Sequence, residues 1–364
     1  MYAPVSLLLR RRRGESVSAE SVAAECRLSP RQIAAAVEDL SRRGFVIESH
    51  PLLGLRLVGV PPALEAEEIA CGLAVGRVGR QVRCVGAATS TSDLAWQAAS
   101  GGPAAADGLA VFAEAQTAGR GRRGNAWVAP PHTSILMSVL LSGVACPGGC
   151  LPGHVVRPGR EHAQANSRLG MPPGGEAQAL ALPAILTRGA AAAVAEAIES
   201  QCRLRPGIKW PNDIVIEDRK VAGILVESRP VSGGAGPVVI GIGINVAQEA
   251  GDFPPDLRPH AASLASLGEP ADRTLLARAV LERLDAMIAA MADADGADAI
   301  RRRAAARCVT VGRRIALCDG GETFTGEVLD LDPDYGLVLR LDTGGIRRCS
   351  AMTSHVLPPG QGVI

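Results

Sequence analysis

The sequence predicts an α/β protein organised around a mixed β-sheet, with a small helical unit before the sheet and a small all-β unit after it. Between residues 81 and 295, several strand-like runs follow one another without helices between them. Such neighbours pair in antiparallel fashion, so we expect a mixed sheet. A chain of 364 residues is also too long for one ordinary hydrophobic core, which indicates two or three domains.

The composition narrows the class of protein. The formal net charge is +1, so no strong overall field argues for binding to nucleic acid or to a membrane. Hydrophobic residues make up 47% of the chain but aromatic residues only 2%, which predicts an aliphatic core. No stretch approaches about 18 apolar residues without a charge, no secretory segment follows the N-terminus, and the cysteines form no C-x-x-C pair. We therefore expect a soluble, cytoplasmic protein with reduced thiols and no membrane contact.

The first domain, residues 1–62, is predicted to be a winged helix-turn-helix. Ser18 can cap the second helix, and Ser29 followed by Pro30 places an N-cap directly before a proline at the first helical position of the third. Gly44 then ends that helix. The predicted elements are helices over residues 5–13, 18–26 and 31–43, followed by strands over 45–48 and 55–58.

The surface of this domain leaves its role open. Residues 1–60 hold nine arginines against six acidic residues, which favours DNA binding only weakly. The predicted recognition helix carries three alanines at 34–36, and the wing turn at 50–54 is apolar where a DNA-binding wing is usually basic or polar. Operator DNA is one predicted partner, and a structural or homodimerisation module is the alternative.

The middle domain, residues 63–300, is predicted to hold the mixed sheet. A short helix is expected over 64–75, and a long irregular insertion loop over 145–176, where prolines and glycines are frequent. The other predicted helices are 92–99, 177–201 and 272–292, and the predicted strands are 82–86, 109–114, 134–141, 208–216, 221–228 and 237–244.

The last domain, residues 301–364, is predicted to be a small all-β barrel. Short strand-like runs from 308 to 358 are separated about every ten residues by turn sequences such as Asp319-Gly320-Gly321. No catalytic cluster is apparent in this domain.

A glycine-rich loop with arginines in its gaps, Gly-Arg-Gly-Arg-Arg-Gly at 119–124, carries the first functional signal. Glycines allow close backbone approach, and guanidinium groups bind phosphate or carboxylate. The string also fits the dinucleotide fingerprint, which requires a helix directly after it and an acidic residue about 20 positions on. Prolines at 130 and 131 follow instead, and no Asp or Glu lies between 125 and 160. We therefore predict an anion-binding loop without a helix dipole.

Other motifs follow in a fixed order. They are Ser90-Thr91-Ser92, Gln116 before the glycine-arginine loop, Lys209-Trp210-Pro211-Asn212-Asp213, Lys220-Val221-Ala222-Gly223-Ile224-Leu225-Val226-Glu227 and Gly241-Ile242-Gly243-Ile244-Asn245-Val246. Each motif alone is weak, because an Asn-Asp pair is usually a turn and glycines in an apolar run often mark close strand packing. Together they resemble the biotin protein ligases.

That resemblance spans nearly the entire chain and carries expectations about its fold and activity. It implies a catalytic domain like that of class II aminoacyl-tRNA synthetases, between a winged helix and an SH3-like barrel. It implies that biotin and ATP, with Mg²⁺, condense to biotinyl-5′-AMP, which then biotinylates a lysine of a biotin carboxyl carrier protein. Two alternatives stay open: a biotin-responsive transcriptional repressor, and a lipoate or octanoyl transferase of similar fold.

The resemblance also assigns the site residues. Lys220, Arg120 and Arg122 are the expected catalytic cations, because two anions must be brought together. Asp213 is expected either to orient a lysine or to hold Mg²⁺. The expected biotin pocket consists of Ser90, Thr91, Gln116, Gly119, Arg120, Arg122, Trp127, Lys220, Gly223, Leu225, Gly241, Gly243 and Ile244. The expected nucleotide-binding residues are Arg122, Arg123, Lys209, Asn212, Asp213 and Asn245.

Three departures from the family pattern are visible. Asn125 stands where many members carry an arginine, so Arg123 is the nearest cation that can replace it. The expected nucleotide-clamping segment, near residues 255–263, has no tryptophan to stack on adenine. The 145–176 excursion is longer than the family usually has.

Overall fold

The computed structural model describes residues 2–102, 104, 106–144, 174–229, 236–332, 336–351 and 353–357, and the side chains of the helical residues 174–181 are not described. In these parts of the chain, three β-sheets of three, seven and five strands follow one another. The predicted insertion loop at 145–176 lies almost wholly outside the described residues. No helix in the described ranges combines the length and apolar character that crossing a membrane requires.

The N-terminal unit contains three helices and a three-stranded sheet. Ser18 and Ser29 cap its second and third helices as predicted, and Ser29 forms a reciprocal capping box with Gln32. A two-residue strand that the sequence did not predict completes the sheet, because Val17 pairs with Leu55. The elements are α1 (Ala3–Arg11), β1 (Ser16–Val17), α2 (Ala19–Cys26), α3 (Pro30–Arg42), β2 (Val46–His50) and β3 (Gly54–Gly59).

A buried ion cluster joins this unit to the middle of the chain. Arg10 of α1 lies 2.9 Å from Glu68 and 2.7 Å from Asp272, with a side chain only 3% exposed. Glu68 belongs to the short helix α4 (Ala66–Ala70), and Asp272 caps the helix that follows. Burial lowers the pKa of Arg10, but the two carboxylates outweigh it and raise that pKa above its ordinary value.

The seven-stranded sheet is mixed, as predicted. Its order is β4-β5-β6-β10-β9-β8-β7, with β4 and β5 parallel and all other neighbours antiparallel. The predicted strand at 208–216 is in fact a hairpin of two strands, because Trp210 to Asn212 form its turn. The strands are β4 (Gln81–Ala88), β5 (Leu109–Gln116), β6 (Ser134–Leu141), β7 (Gly207–Lys209), β8 (Asp213–Ile216), β9 (Arg219–Ser228) and β10 (Val238–Asn245).

Helices cover both faces of this sheet. On one face, Trp96 of α5 (Thr91–Ser100) packs with Val111, Leu140 and Val239. On the other, aliphatic residues of the sheet form the main core with α6 (Gly174–Gln201), α7 (Arg273–Ala290) and α8 (Ala294–Ala306). The sequence did not predict α8. The predicted domain boundary after residue 300 falls inside this helix, whose Ala304 lies in the main core.

The five-stranded C-terminal sheet has the order β14-β13-β12-β11-β15. Trp210, from the hairpin turn of the central sheet, lies in its core with Leu317, Val328 and Leu339. The Trp210 backbone N–H donates to Thr310 Oγ1 at 2.9 Å, which fixes the turn against this sheet. The strands are β11 (Arg314–Asp319), β12 (Glu322–Asp332), β13 (Gly336–Leu341), β14 (Ile346–Cys349) and β15 (Ser354–Val356).

Candidate ligand site

A cavity of about 270 Å³ opens at one face of the central sheet. Its walls come from the N-terminus of α5, the glycine-arginine loop, strands β6, β9 and β10, the turn between β7 and β8, and β15 of the C-terminal sheet. Most of the motif residues identified from the sequence therefore meet at one place. A cavity of this size with both polar and apolar walls suits a small organic ligand.

One wall of the cavity consists of neutral hydrogen-bonding groups. Gln116, at the end of β5, accepts hydrogen bonds at its Oε1 from Thr91 N (2.7 Å) and Thr91 Oγ1 (3.1 Å). Ser90 is the N-cap of α5 and accepts from Ser92 N at 3.2 Å. This wall carries amide and hydroxyl groups but no charge, as a neutral polar ligand requires.

The glycine-arginine loop is a tight hairpin and no α-helix follows it. Gly121 N donates to Asn125 O at 2.7 Å, and Trp127 N donates to Gly119 O at 2.9 Å. Arg123 sits at φ 57°, in the left-handed region that a residue in a tight turn can adopt. The expectation that the loop lacks a helix dipole agrees with this geometry.

The arginines of the loop differ in how far their charge is compensated. Arg120 donates to Asp93 Oδ1 at 2.7 Å and to Glu227 Oε2 at 3.5 Å. Burial lowers the pKa of Arg120, but the hydrogen bond to Asp93 and the charge of Glu227 outweigh burial, so the net shift is upward. Two carboxylates thus already offset the charge of Arg120.

Arg122, in contrast, donates only to neutral acceptors among the described residues. Its guanidinium group contacts Asn212 Oδ1 at 3.3 Å and the carbonyl oxygen of Ala351 in the C-terminal sheet. Burial lowers the pKa of Arg122, the neighbouring charge of Arg123 lowers it further, and Asp213 opposes these effects in part. Arg122 therefore has no carboxylate among its hydrogen-bond acceptors in the described ranges, unlike Arg120.

Lys220 forms an ion pair on the same side of the cavity. Its Nζ lies 2.7 Å from Asp213 Oδ1 and 5.5 Å from the centre of the Trp127 ring. Backbone hydrogen bonds hold its position, because Lys220 N donates to His260 O at 2.7 Å. Lys220 is thus fixed between β8 and the segment that follows β10.

Trp127 fills a slot made by two glycines. A Cβ atom at Gly223 would lie 3.0 Å from the indole ring, and one at Gly243 would lie 2.4 Å from it. The indole N–H of Trp127 is buried and has no hydrogen-bond partner in the described part of the chain. The glycines of β9 and β10 are therefore required by close approach of an aromatic ring.

The structure brings most of the predicted site residues together, but not all of them. Ile244 lies in the main core with no exposed surface, because successive residues of β10 point to opposite faces and Gly241 and Gly243 are on the cavity face. Gly119 is not among the lining residues, and a Cβ atom at this position would lie 2.4 Å from Trp127 O. The predicted residues that line the cavity are Ser90, Thr91, Gln116, Arg120, Arg122, Arg123, Trp127, Lys209, Asn212, Asp213, Lys220, Gly223, Leu225, Gly241 and Gly243.

Asn245 does not line the cavity, and its side chain forms hydrogen bonds with neighbouring protein groups instead. Its Nδ2 donates to Ala262 O at 3.1 Å and approaches Lys220 O at 3.5 Å, while its Oδ1 accepts from Gln248 Nε2 at 2.9 Å. The side chain therefore holds the backbone of Lys220 next to the segment around Ala262.

Several lining residues were missed by the sequence reasoning. Trp210 is part of a predicted motif but was given no role, and Ser92 was quoted without one. His355 and Val356 come from β15, in a domain where no functional cluster was expected. The sequence of β15 does not indicate that this strand borders a cavity. Its contact with the cavity depends on how the C-terminal sheet packs against the central sheet.

The metal-binding potential of the cavity rests on one carboxylate. Asp213 is the one acidic residue among the described residues that line the cavity, and its partner there is Lys220. No group of three or more His, Cys, Asp or Glu side chains suited to a metal occurs in the described ranges. This donor set fits Mg²⁺ held mainly by ligand phosphates and water, with a single protein carboxylate.

The chain is similar to known proteins in sequence and in fold. The sequence model of the biotin/lipoate A/B protein ligase family matches residues 88–151 and 171–245. The bifunctional ligase/repressor BirA of Bacillus spizizenii is 33% identical over 238 residues, which cover 65% of this chain and 62% of that relative. The biotin–[acetyl-CoA-carboxylase] ligase of Mycobacterium tuberculosis is 35% identical over 273 residues, covering 73% of this chain and 85% of the relative. The match thus spans less than two thirds of the Bacillus protein and most of the mycobacterial one.

Solved structures support the fold. The biotin protein ligase of Aquifex aeolicus in complex with biotin and ATP superposes with a TM-score of 0.53 at 20% identity, covering 76% of this chain and 99% of that one. A point mutant of the same Aquifex protein in complex with biotin gives a TM-score of 0.54 at 20% identity, covering 76% of this chain and 98% of that one. The mixed α/β architecture around a central mixed sheet is shared with these structures.

Proposed function

The chain belongs to the biotin/lipoate A/B protein ligase family, and we propose that it is an ATP-dependent biotin protein ligase. In the first step, biotin and ATP give biotinyl-5′-AMP and pyrophosphate. In the second, a lysine of a biotin carboxyl carrier protein attacks the mixed anhydride, giving an amide and AMP. The observation that carries this proposal is a single cavity that combines the neutral Thr91 and Gln116 wall with Arg122 and Lys220.

The two kinds of wall suit the two halves of the first step. Biotin has a neutral ureido ring, which the hydroxyl and amide groups at the N-terminus of α5 can bind. Its carboxylate must approach the α-phosphate of ATP, so positive charge is needed to offset the repulsion and stabilise the transition state. Arg122 and Lys220 supply that charge, and Trp127 lines an apolar part of the cavity.

Lys220 and Asp213 act together in this scheme. Asp213 holds the ammonium group of Lys220 toward the cavity at 2.7 Å, and when anions bind, Lys220 can exchange this carboxylate for a carboxylate or phosphoryl oxygen of the substrates. Asp213 is then free to hold Mg²⁺, which would supply charge neutralisation at the phosphates. Asn212 and Lys209, in the adjacent turn, are proposed to contact the nucleotide.

The second step needs no covalent intermediate with the enzyme. The adenylate is a mixed anhydride with AMP as its leaving group, so the incoming amine of the carrier lysine completes the reaction directly. The enzyme contributes by holding the adenylate, excluding water and keeping the acyl carbon accessible to the carrier.

We propose three domains. The N-terminal unit, residues 1–62, is a winged helix-turn-helix in which α3 is the second helix of the motif and the β2–β3 hairpin is the wing. The class II synthetase-like catalytic domain begins at 63 and, because α8 packs into its core, extends to about residue 307 instead of 300. The remainder is an SH3-like barrel.

Operator binding as a biotin-responsive repressor is the second candidate function. Its support is the order of elements in residues 1–62, together with the ligase/repressor relatives in Bacillus. Two observations weigh against it: Arg43 pairs with Asp39 and stacks on Tyr2, and the wing tip exposes Leu52 and Leu53 where a basic residue would contact phosphate. We therefore place ligation first and operator binding, as a homodimer on palindromic DNA, second.

The ligase proposal is tested by incubating the protein with biotin, ATP, Mg²⁺ and a purified carrier domain. A streptavidin-reactive carrier that depends on its acceptor lysine is the expected result. Lipoic and octanoic acid in place of biotin form the control for the related transferases. Labelling with these acids instead of biotin, or no labelling at all, would overturn the proposal.

A further inference from the structure

A buried serine lies beneath the neutral wall of the cavity. Ser138, in the middle of the apolar strand β6, is fully buried. Its Oγ lies 2.8 Å from Thr91 Oγ1 and 3.1 Å from Ser92 Oγ. Ser138 is not among the residues that line the cavity, so it acts on a ligand only through its neighbours.

The orientation of the Gln116 amide follows from a backbone group. Thr91 N–H is in the first turn of α5, where no intrahelical acceptor is available, and it lies 2.7 Å from the Gln116 side chain. A backbone N–H can only donate, so the atom that faces it must be the amide oxygen. The Gln116 nitrogen is therefore the atom left for the cavity.

The donor and acceptor roles of the hydroxyl groups of Thr91, Ser138 and Ser92 then follow, because each hydroxyl has one hydrogen to donate. Thr91 Oγ1 donates its one hydrogen to Gln116 Oε1 at 3.1 Å, so it must accept in its contact with Ser138. Ser138 then uses its one hydrogen on Thr91 and must accept from Ser92. The hydroxyl chain has one polarity, running from Ser92 through Ser138 and Thr91 to Gln116.

This polarity determines whether Gln116 presents a hydrogen-bond donor or an acceptor to a ligand. Both lone pairs of Gln116 Oε1 are occupied, so Gln116 can present only N–H donors to a ligand. A donor at this position suits an acceptor such as a carbonyl oxygen and rejects a group that carries only N–H. Resting on the proposed function, we propose that Ser138 and Ser92 are positioning residues that make the site selective for the ureido carbonyl of biotin.

The proposal is tested with 2-iminobiotin, in which a protonated guanidinium at neutral pH replaces the ureido carbonyl. The affinities of the full-length protein for biotin and for 2-iminobiotin are measured by calorimetry without ATP. Ser138→Ala frees an acceptor lone pair on Thr91 and lets its hydroxyl rotate away from Gln116. We expect the preference for biotin over 2-iminobiotin to fall about tenfold, the value of one hydrogen bond.

Two further variants keep the test decisive. Ser138→Cys, whose thiol is a weak donor of similar size, should give an intermediate preference and serves if the alanine variant does not fold. Val139→Ala is the matched control, because Val139 is equally buried in β6 but points to the opposite core. Its ratio of affinities should equal that of the wild type.

Failure of the proposed ligase function and failure of the proposed role of Ser138 give different results in this experiment. If the wild type does not bind biotin, the proposed function fails, and the proposal built on it fails too. If the wild type binds biotin but the ratio is unchanged in the Ser138 variants, or shifts equally in Val139→Ala, only the hydroxyl relay is overturned.

Discussion

Gly243 leaves room for Trp127 in the cavity, since a Cβ atom at this position would lie 2.4 Å from the indole ring. The nearest atoms belong to a rigid ring system, so an added methyl group cannot be accommodated by rotating a flexible chain end. The slot between β9 and β10 therefore depends on two missing side chains, at Gly223 and Gly243, as much as on the tryptophan that occupies it.

Gly243→Ala should displace Trp127 and weaken biotin binding by at least about tenfold, with an overpacking cost of about 1–3 kcal/mol in unfolding free energy. Binding is measured by calorimetry and stability by urea denaturation. Gly86→Ala is the control, because Gly86 also lies in a strand of the central sheet but has no atom within 4 Å of the added Cβ. Equal effects of the two substitutions would contradict the proposed role of the slot.

Lys220→Ala should abolish adenylate formation, with a loss of at least about a thousandfold in biotin-dependent ATP–pyrophosphate exchange. The fold should survive, because the ion pair with Asp213 is partly exposed and such pairs contribute at most about 1 kcal/mol. The chain contains just one other lysine, Lys209, which lines the same cavity, and Lys209→Ala should cost less. Near-normal exchange by Lys220→Ala with an intact thermal transition would refute the assignment.

Arg10→Ala should destabilise the protein by about 3–5 kcal/mol, because it leaves Glu68 buried without a cation. The double variant Arg10→Met, Glu68→Leu removes the arginine together with its fully buried partner and leaves Asp272, which still caps α7, so it should recover most of that loss. Guanidinium chloride denaturation of the three proteins measures the effect. If the double variant is as unstable as Arg10→Ala, the cost arises from lost packing or from Asp272 and not from the unpaired Glu68.

How far the sequence could predict this structure depends on how local each signal is. The start of α3 was predicted because Ser29 and Pro30 act within one turn. The helix α8 was missed, since its buried positions include two alanines, Ala297 and Ala304, which give a weak apolar period. Ile244 was placed in the pocket by its motif, although strand alternation turns it into the core.

The candidate site shows the same limit. Its motif residues could be named because their types and order are distinctive, and the structure gathers most of them around one cavity. Ser138 could not be found in this way, because a single serine in an apolar strand does not indicate a function. Its role depends on contacts with Thr91 and Ser92 of α5, which only the structure shows. His355 could not be predicted as a lining residue either, because β15 reaches the cavity through contacts between residues that are distant in sequence.

Asp319 gives a prediction about pH. Burial raises the pKa of Asp319, but hydrogen bonds from Thr353, Ser354 and Arg347 outweigh burial and lower that pKa below its ordinary value of 3.8. A depressed folded-state pKa contributes stability above pH 3.8, and that contribution is lost as the pH falls through the lower folded-state value. The difference in melting temperature between the wild type and Asp319→Asn should therefore be present at pH 7 and shrink below pH 3.8. A difference that is independent of pH would show that the charge of Asp319 is not responsible.

The unequal compensation of Arg120 and Arg122 leads to the last prediction. Arg120 is already paired with Asp93 and Glu227, whereas Arg122 contacts neutral oxygens of Asn212 and Ala351. An incoming polyphosphate gains more from the cation whose charge is not offset. Arg122→Ala should therefore raise the KM for ATP at least about tenfold, and Arg120→Ala should raise it less, because Asp93 and Glu227 already offset the charge of Arg120.

Steady-state pyrophosphate release at saturating biotin measures both constants. Arg314→Ala is the control for the loss of one positive charge, since Arg314 is an exposed residue of the C-terminal sheet paired with Asp342 and does not line the cavity. Raised ionic strength should weaken ATP binding in the wild type more than in Arg122→Ala, because the variant has lost the interaction that salt screens. If Arg120→Ala proves the more damaging substitution for ATP, the carboxylates beside Arg120 must release it when the nucleotide binds, and the uncompensated charge of Arg122 does not determine affinity.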